Sequence, residues 1–235
     1  MVQVLIKRSY KSVSTIIAKN GVSILLDQIP VTTPDGNQLI FKNNKLVKKV
    51  VEEWVAQKEK VDISSMPLTN ISYTVIDKIS KNRKKEIEKL TKWASSDLLC
   101  YRALSPKELI DLQHLKWQPH LDWLKEVFSI NLSHSQGIKH EEQDVKSLKA
   151  IHSLICYFDC YSLFSLIQLT KIFGSLILSL RVLKDKICWN DVFEDSQLDE
   201  NWQREKWGND QDSLKNKTLL FEEMELIKKF SSLLY

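Results

Sequence analysis

The chain has 235 residues, 43% hydrophobic and 27% charged, which suits one large folded domain or two small ones and excludes disorder as the main state. Its five glycines, at 21, 36, 137, 174 and 208, stand apart, so neither glycine-rich phosphate loop (GxGxxG or GxxxxGK) is present and nucleotide binding through those loops is excluded. The net charge is +4 with both signs mixed along the chain; the densest basic run, Lys81 to Lys85, is followed at once by Glu86 and Glu88 and reads as a solvated helix start, so no nucleic-acid partner is expected.

The first 41 residues read as β. Val13, Thr15 and Ile17 alternate with Ser12, Ser14 and Ile16, and Val22 to Leu26 follows Asn20-Gly21. That dipeptide predicts a tight hairpin, because both residues tolerate positive φ. Pro34-Asp35-Gly36 marks the next turn, and Leu39 to Phe41 another short strand. The period then becomes helical: Leu46, Val47, Val50, Val51, Trp54 and Val55 share a stripe, with Asn44 as expected N-cap, Glu53 on the polar face and an end near Lys60. Pro67 opens a second helix in its first turn, with Leu68, Ile71, Val75, Ile76 and Ile79 as its stripe. Glu86 to Ala94 continues in helical period, whereas Leu98 to Tyr101 fits either a short strand or a buried turn.

Ser105-Pro106-Lys107-Glu108 has the form of a capping box with proline at the first helical position. The helix it opens should bend or restart at Pro119. Ser129 to Gly137 reads as a loop with a short strand, and from Glu141 the pattern is helical. Asp159 is a possible cap for a long buried helix ending near Val182, Asp185 or Asn190 for another, and the last runs from about Asp210 to Leu234. The apolar stretch Cys160 to Leu183 is interrupted by Lys171 and Arg181, and its longest uncharged run, Cys160 to Thr170, is 11 residues, short of the roughly 20 that a membrane span needs. No membrane insertion is expected. Strands first and helices after predict an α+β fold: a small β-rich amino-terminal domain over 1–75, then an all-α orthogonal bundle over 76–235. Either Asp97 to Arg102 or Ile130 to Gly137 could return to the first sheet as a strand.

Three kinds of chemical site deserve weighing. His152, Cys156 and Cys160 recur every four residues, a spacing that could bind zinc from one helical face, but no fourth ligand is evident, Asp159 interrupts the run, and small cysteines in a core helix account for them better. Cys100 sits among apolar residues that would keep its thiol inert. Asp199 and Glu200 are adjacent and point about 100° apart on a helix, a poor geometry for sharing a proton. No metal and no catalytic residue is therefore expected. With four cysteines and no secretory signal ahead of them, a disulfide framework is not expected either.

The seven tryptophans say more. Trp54 and Trp123 lie on apolar stripes, and on a helical wheel Trp202 falls beside Leu198, so all three should face inward. Trp207 falls near Glu200 and Arg204, roughly opposite Leu198. It is either tucked under the last helix, with Gly208 as terminator, or offered to a partner.

Blocks along the chain, in order, resemble the ATP-twelve family of F₁-ATPase assembly chaperones. They are Tyr10-Lys11-x-Val13, Leu26-Asp27-x-x-Pro30-Val31-x-Thr33-Pro34-x-Gly36, Glu53-Trp54-x-Ala56-Gln57, Met66-Pro67-Leu68-Thr69 and Ile76-Asp77. Asp97-Leu98-Leu99-Cys100-Tyr101-Arg102, Trp117-x-Pro119-x-Leu121-Asp122-Trp123, Gly137-Ile138, Leu169-Thr170 and Gly174-Ser175-Leu176 follow. The last is Leu198-Asp199-Glu200-x-Trp202-Gln203-x-Glu205-x-Trp207-Gly208. Departures are Gln28-Ile29, where the family often has Gly-Arg, and Thr32 and Asn70, where it often has arginine.

The resemblance implies a binding protein and not an enzyme, without cofactor, monomeric when free. It would bind the unassembled α subunit of F₁-ATPase, shield the surface that pairs with β, and release it as the α/β ring forms. Motif match together with an outward place on the helical wheel marks Glu200 and Trp207, with Asp199 at the edge of that face and Arg204 beside them, as the expected client-binding residues. With no leader apparent after Met1, a bacterial cytoplasm is expected, or else the mitochondrial matrix. The rival readings are a small cytoplasmic enzyme with a His/Cys site and a scaffold for another complex.

Overall fold

β-branched residues favour extended backbone, and the amino-terminal region strings them into short strands. In the computed structural model, which describes residues 5–137, 141–208 and 211–234, β1 (Leu5–Lys7) begins this region. β2 (Val13–Ala18), β3 (Gly21–Leu26), β4 (Ile29–Pro30) and β5 (Ile40–Phe41) make a four-stranded antiparallel sheet in which β3 pairs with β2, β4 and β5. α1 (Asn44–Ala56) follows, and β6 (Lys60–Asp62) returns antiparallel to β1, a pairing that the expected helix end near Lys60 concealed. α2 (Pro67–Thr74) starts with its proline in the first turn, and a π-helical turn, Val75–Ile79, leads into α3 (Ser80–Ala94).

By its internal contacts the chain divides into two units. One runs to Arg83 and takes in Cys160–Phe164 and the residues from Lys229 onward; the other comprises Lys84–Asp159 and Ser165–Lys228. The first is cored by Ile24, Leu39, Phe41, Leu46, Val50 and Met66, none more than 1% exposed. Burying each such side chain stabilises by about 1.5–3 kcal/mol.

The expected tight hairpin forms between β2 and β3, with its turn one residue earlier than predicted. The β2–β3 loop is Lys19-Asn20, and Gly21 already pairs with Ala18. Glycine is needed there because a Cβ would sit 2.2 Å from the Phe41 carbonyl oxygen of β5. The turn with two positive-φ residues is instead Asp27-Gln28 (φ 47° and 72°), between the paired Leu26 and Ile29. The α1 N-cap is likewise one residue earlier than expected: Asn43 accepts from the N–H groups of Lys45 and Leu46. Val55, placed on its apolar stripe, is exposed.

Carboxylates tie this unit together. Glu53, placed on the polar face of α1, accepts from the N–H groups of Leu68 (2.7 Å) and Thr69 (2.8 Å) and the Thr69 hydroxyl, capping α2 from outside. Asp77, in the π turn, accepts from the Thr33 hydroxyl (2.6 Å), the Asn37 amide (2.7 Å) and the Asp35 N–H (3.1 Å) and so holds the Pro34-Asp35-Gly36 turn. Burial pushes the Asp77 carboxyl up, but these bonds and Lys81 more than reverse that and hold it below the usual range.

In the second unit, a 3₁₀ turn over Leu98–Cys100 leads into β7 (Tyr101–Arg102), so the segment is both turn and strand. β7 pairs in parallel with β8 (Ser135–Gln136) after α4 (Lys107–Phe128). The two segments weighed as returning to the first sheet thus pair with each other. Ile138, part of a matched block, and Asp210, the expected start of the last helix, lie outside the described residues. At the start of α4 Pro106 occupies the N-cap position and no side chain caps it, so the expected capping box does not form. The helix passes through Pro119 unbroken, and Arg181 donates to the Pro119 carbonyl at 3.1 Å.

α5 (Val145–Cys156) ends before α6 (Cys160–Phe173), and α7 (Leu176–Lys184) is separate from α6. The expected single helix to Val182 breaks at Gly174, with φ of 65°, because Ser175 and buried Asp97 form a new N-terminus there. α8 (Trp189–Ser196), capped by neither Asp185 nor Asn190, α9 (Leu198–Trp207) and α10 (Gln211–Ser232) complete the described chain. The fold is α+β, with short strands first and helices after, as the sequence order predicts.

Candidate functional site

α9 combines an anchored start with an exposed end. Leu198 is 5% exposed and seats the first turn. Asp199, next to it, is half-buried; Gln113 Nε2 of α4 donates to its Oδ1 at 2.8 Å. The same glutamine accepts the Ala103 N–H at its Oε1 (2.8 Å), and its carbonyl receives the Arg102 guanidinium. Arg102 is 6% exposed, lies 5.2 Å over the Trp117 ring, and is pushed down to about 10 by burial against the favourable charge of Asp199. Its Nε and Nη2 have no hydrogen-bond partner among the described residues. Burial raises the Asp199 carboxyl; the Gln113 bond and the Arg102 charge oppose this only in part.

The next turns face outward. Glu200 is exposed and Trp207 is 79% exposed. Gly208 receives the chain in a positive-φ conformation (93°) and donates its N–H to the Arg204 carbonyl at 2.9 Å. Glycine therefore terminates the helix as expected, but the tryptophan before it is not tucked away. Arg204 is half-buried and not freely outward: it donates to Ser213 Oγ at 3.2 Å and to Asn201 Oδ1. Trp202 is half-buried, not a core anchor, with the Lys206 ammonium 4.9 Å from its ring centroid.

Trp202 separates two clefts. One is lined by Leu112, Lys116, Asp195, Leu198 and Glu205. The other is lined by Pro106, Leu109, Asp199, Gln203, Lys206 and Trp207. Leu109 and Pro106 were invisible as site residues in the sequence, since nothing local links the start of α4 to α9. Below the first cleft, Trp117 Nε1 donates to the Asp195 carbonyl at 2.7 Å and His120 Nε2 lies 3.1 Å from the Asp195 carboxylate. The geometry offers apolar walls, a large exposed aromatic ring and peripheral charges of both signs, which suits contact with a protein surface.

The other sites weighed in the sequence fare differently. His152 Nδ1 and Cys156 Sγ lie 3.8 Å apart on α5, but the helix ends at Cys156 and Cys160 opens another. Among the described residues no group of three His, Cys, Asp or Glu side chains could hold a metal ion. The Cys100 thiol is pushed up to about 12 by burial and by the nearby Asp97, so it is held as the thiol.

A family model described as ATP12 chaperone protein matches residues 7–125 of the chain. The chain belongs to the ATP12 chaperone family. The matched stretch ends inside α4, so α9 lies beyond it, but likeness to solved structures covers that region. The structure is similar to Atp12 from Paracoccus denitrificans, with 29% identity, coverage of 97% of this chain and 98% of that one, and a TM-score of 0.92. It is equally similar to a mutant of the P. denitrificans protein, at 28% identity, 97% coverage of both chains and a TM-score of 0.92. A protein from Agrobacterium tumefaciens matches at 31% identity over 98% of this chain and 87% of that one, with a TM-score of 0.88. Family membership brings a chaperone role in F₁-ATPase assembly. Among the described residues no helix is long and apolar enough to cross a membrane.

Proposed function

We propose that this chain holds the unassembled α subunit of F₁-ATPase, prevents its aggregation and yields it as the α/β ring forms. An isolated ring subunit exposes a large apolar interface that associates wrongly unless covered. The observation that carries the reading here is Trp207, 79% exposed at the mouth of an apolar cleft on a helix whose first turn is anchored. Glu200 and Trp207 would meet the client directly. Asp199 would contribute from the cleft wall, and Arg204 by holding the helix end through Asn201 and Ser213. We place this activity in a bacterial cytoplasm, with a chaperone that is monomeric when free and uses no cofactor.

Co-expression of α subunit with and without the chain tests it. Soluble, co-purifying α is expected; unchanged α solubility with no complex would sink the reading. Reversing Glu200 to lysine together with Trp207→Ala should abolish capture while leaving thermal unfolding unchanged. Undiminished capture by that folded variant would rule out α9 as the contact.

A further inference from the structure

The second feature open to a partner is a strand edge. β2 pairs only with β3, and its other edge is open among the described residues. The register tells which groups lie there. The Asp27 N–H donates to the Ser12 carbonyl, which makes Ser12 and Asp27 a hydrogen-bonded pair. In an antiparallel ladder such pairs alternate. Ser14, Ile16 and Ala18 therefore bond to β3, while Val13, Thr15 and Ile17 turn N–H and C=O outward.

Proteins normally blunt such an edge with a lysine, a proline or a bulge. Val13–Ala18 (VSTIIA) has none of these and no charge, and every opposed pair from Val13–Leu26 to Ala18–Gly21 is in unbroken register. Ile17 is 89% exposed and Ile16 52%. A six-residue uncharged, β-prone segment on an open edge is an aggregation hazard, which argues that something specific covers it.

The flanks indicate what. Lys11 and Lys19 stand at the two ends of β2, both exposed. Antiparallel pairing with a second copy, centred on Thr15, would set Val13 against Ile17 and Lys11 against Lys19 at both ends. Like charges directly opposite destabilise a strand pair. Asp27, the acid beside Lys11, already has its two oxygens on the N–H groups of Lys11 and Ser12 at 2.8 Å. The favoured occupant is therefore an extended segment of a different protein, apolar or β-branched at its centre and acidic at its ends. We propose that β2 takes up such a segment as an added antiparallel strand, through the outward backbone groups of Val13, Thr15 and Ile17. The chemistry of the occupant stands on this edge alone; that it belongs to the α subunit rests on the chaperone reading.

The test uses the full chain and two probes. The first is a capped peptide, Glu-Thr-Val-Thr-Val-Thr-Glu. It should slow amide exchange at Val13, Thr15 and Ile17 by at least about ten-fold. The same peptide N-methylated at alternate residues should not. Thr15→Pro removes an outward N–H without breaking a bond to β3, and Ile17→Glu sets a like charge against the peptide's acidic end while keeping the backbone; both should weaken peptide binding at least about ten-fold. No protection at about 1 mM peptide, or equal protection by the N-methylated form, overturns the proposal. So does a wild-type dimer in ultracentrifugation that Thr15→Pro dissolves, since the occupant is then a second copy. The second probe is α subunit. If wild type captures it and both variants capture it equally, the assignment of the occupant to α falls and the chaperone reading stands. If the peptide binds as expected and α is not captured, the chaperone reading falls and the edge remains.

Discussion

Two of the family-like blocks carry an aspartate at or just inside the start of a helical turn, Asp97 and Asp199, and the protein uses them in opposite ways. Asp97 is 0% exposed and accepts four hydrogen bonds, from Leu99 N–H, Ser175 hydroxyl, Leu176 N–H and Ile177 N–H. It joins one block (97–102) to another (174–176). Among the described residues Asp199 has a single bond, from Gln113, and it stands where its helix turns to solvent. Buried Asp97 thus serves to hold another block and is itself out of a partner's reach. Glu53 with Thr69 and Asp77 with Thr33 repeat the first pattern. The contrast teaches that most of the recognisable sequence is internal fastening, and that binding must be sought in the blocks that leave side chains uncommitted.

The largest effect should come from breaking a fastening. Asp97→Ala would leave four donors unanswered, two of them at the N-terminus of α7, and should cost about 3 kcal/mol or more in chemical denaturation. Burial also pushes the Asp97 carboxyl up to about 6, despite its hydrogen bonds. The folded state then holds the proton more tightly than the unfolded chain, whose value is 3.8. Stability from this group is full below about pH 4 and is lost as pH rises through about 6. The stability gap between wild type and Asp97→Asn should therefore shrink from pH 4 to pH 7, and a gap that widens would show the carboxylate to be the favoured form.

Next in size is the uncommitted end of α9. Trp207→Ala should leave the unfolding midpoint unchanged within about 0.5 kcal/mol, as for an exposed site, yet weaken α-subunit capture by about 2 kcal/mol, some thirty-fold. A comparable loss of stability would place Trp207 with the fastenings. Asp199→Ala should fall between, costing about 1–2 kcal/mol of stability, because Gln113 Nε2 and the buried Arg102 lose their acceptor and counter-charge. Gln113→Ala should reproduce most of that loss if Asp199 acts through this chain, and little of it if the aspartate matters mainly to the client.

How much of this was legible follows the range of each interaction. Local signals read well: the stripe Leu46, Val47, Val50 and Trp54, Pro67 at a helix start and Gly208 at a helix end all hold. The wheel separated Leu198 from Glu200 and Trp207 correctly, but it misjudged Trp202 and Arg204. A wheel knows nothing of the neighbours that leave one side of Trp202 open and bind Arg204 to Ser213. Long-range partners were unreadable for the same reason. Nothing near Asp97 announces Ser175, and nothing near Lys60 announces its pairing with Lys7. The break after Phe173 was missed because a cap supplied from another segment leaves no local mark beyond Gly174.

The smallest effect concerns a surface block. At the Asp27-Gln28 turn both residues have positive φ, 47° and 72°. Asp27 is supported there, since its carboxylate takes the N–H groups of Lys11 and Ser12 and the Ser12 hydroxyl. Gln28 is exposed, and among the described residues no comparable bond rewards its conformation. A left-handed backbone costs an L side chain about 1–2 kcal/mol, and glycine avoids that at the expense of greater freedom in the unfolded chain. The difference predicts a net gain of about 0.5–1 kcal/mol for Gln28→Gly, read as a higher denaturation midpoint at unchanged slope. Asp27→Gly should lose stability instead, because it surrenders three hydrogen bonds for the same relief. Opposite signs at adjacent residues of one turn would show that a matched residue is held by its bonds, while its unmatched neighbour is merely tolerated.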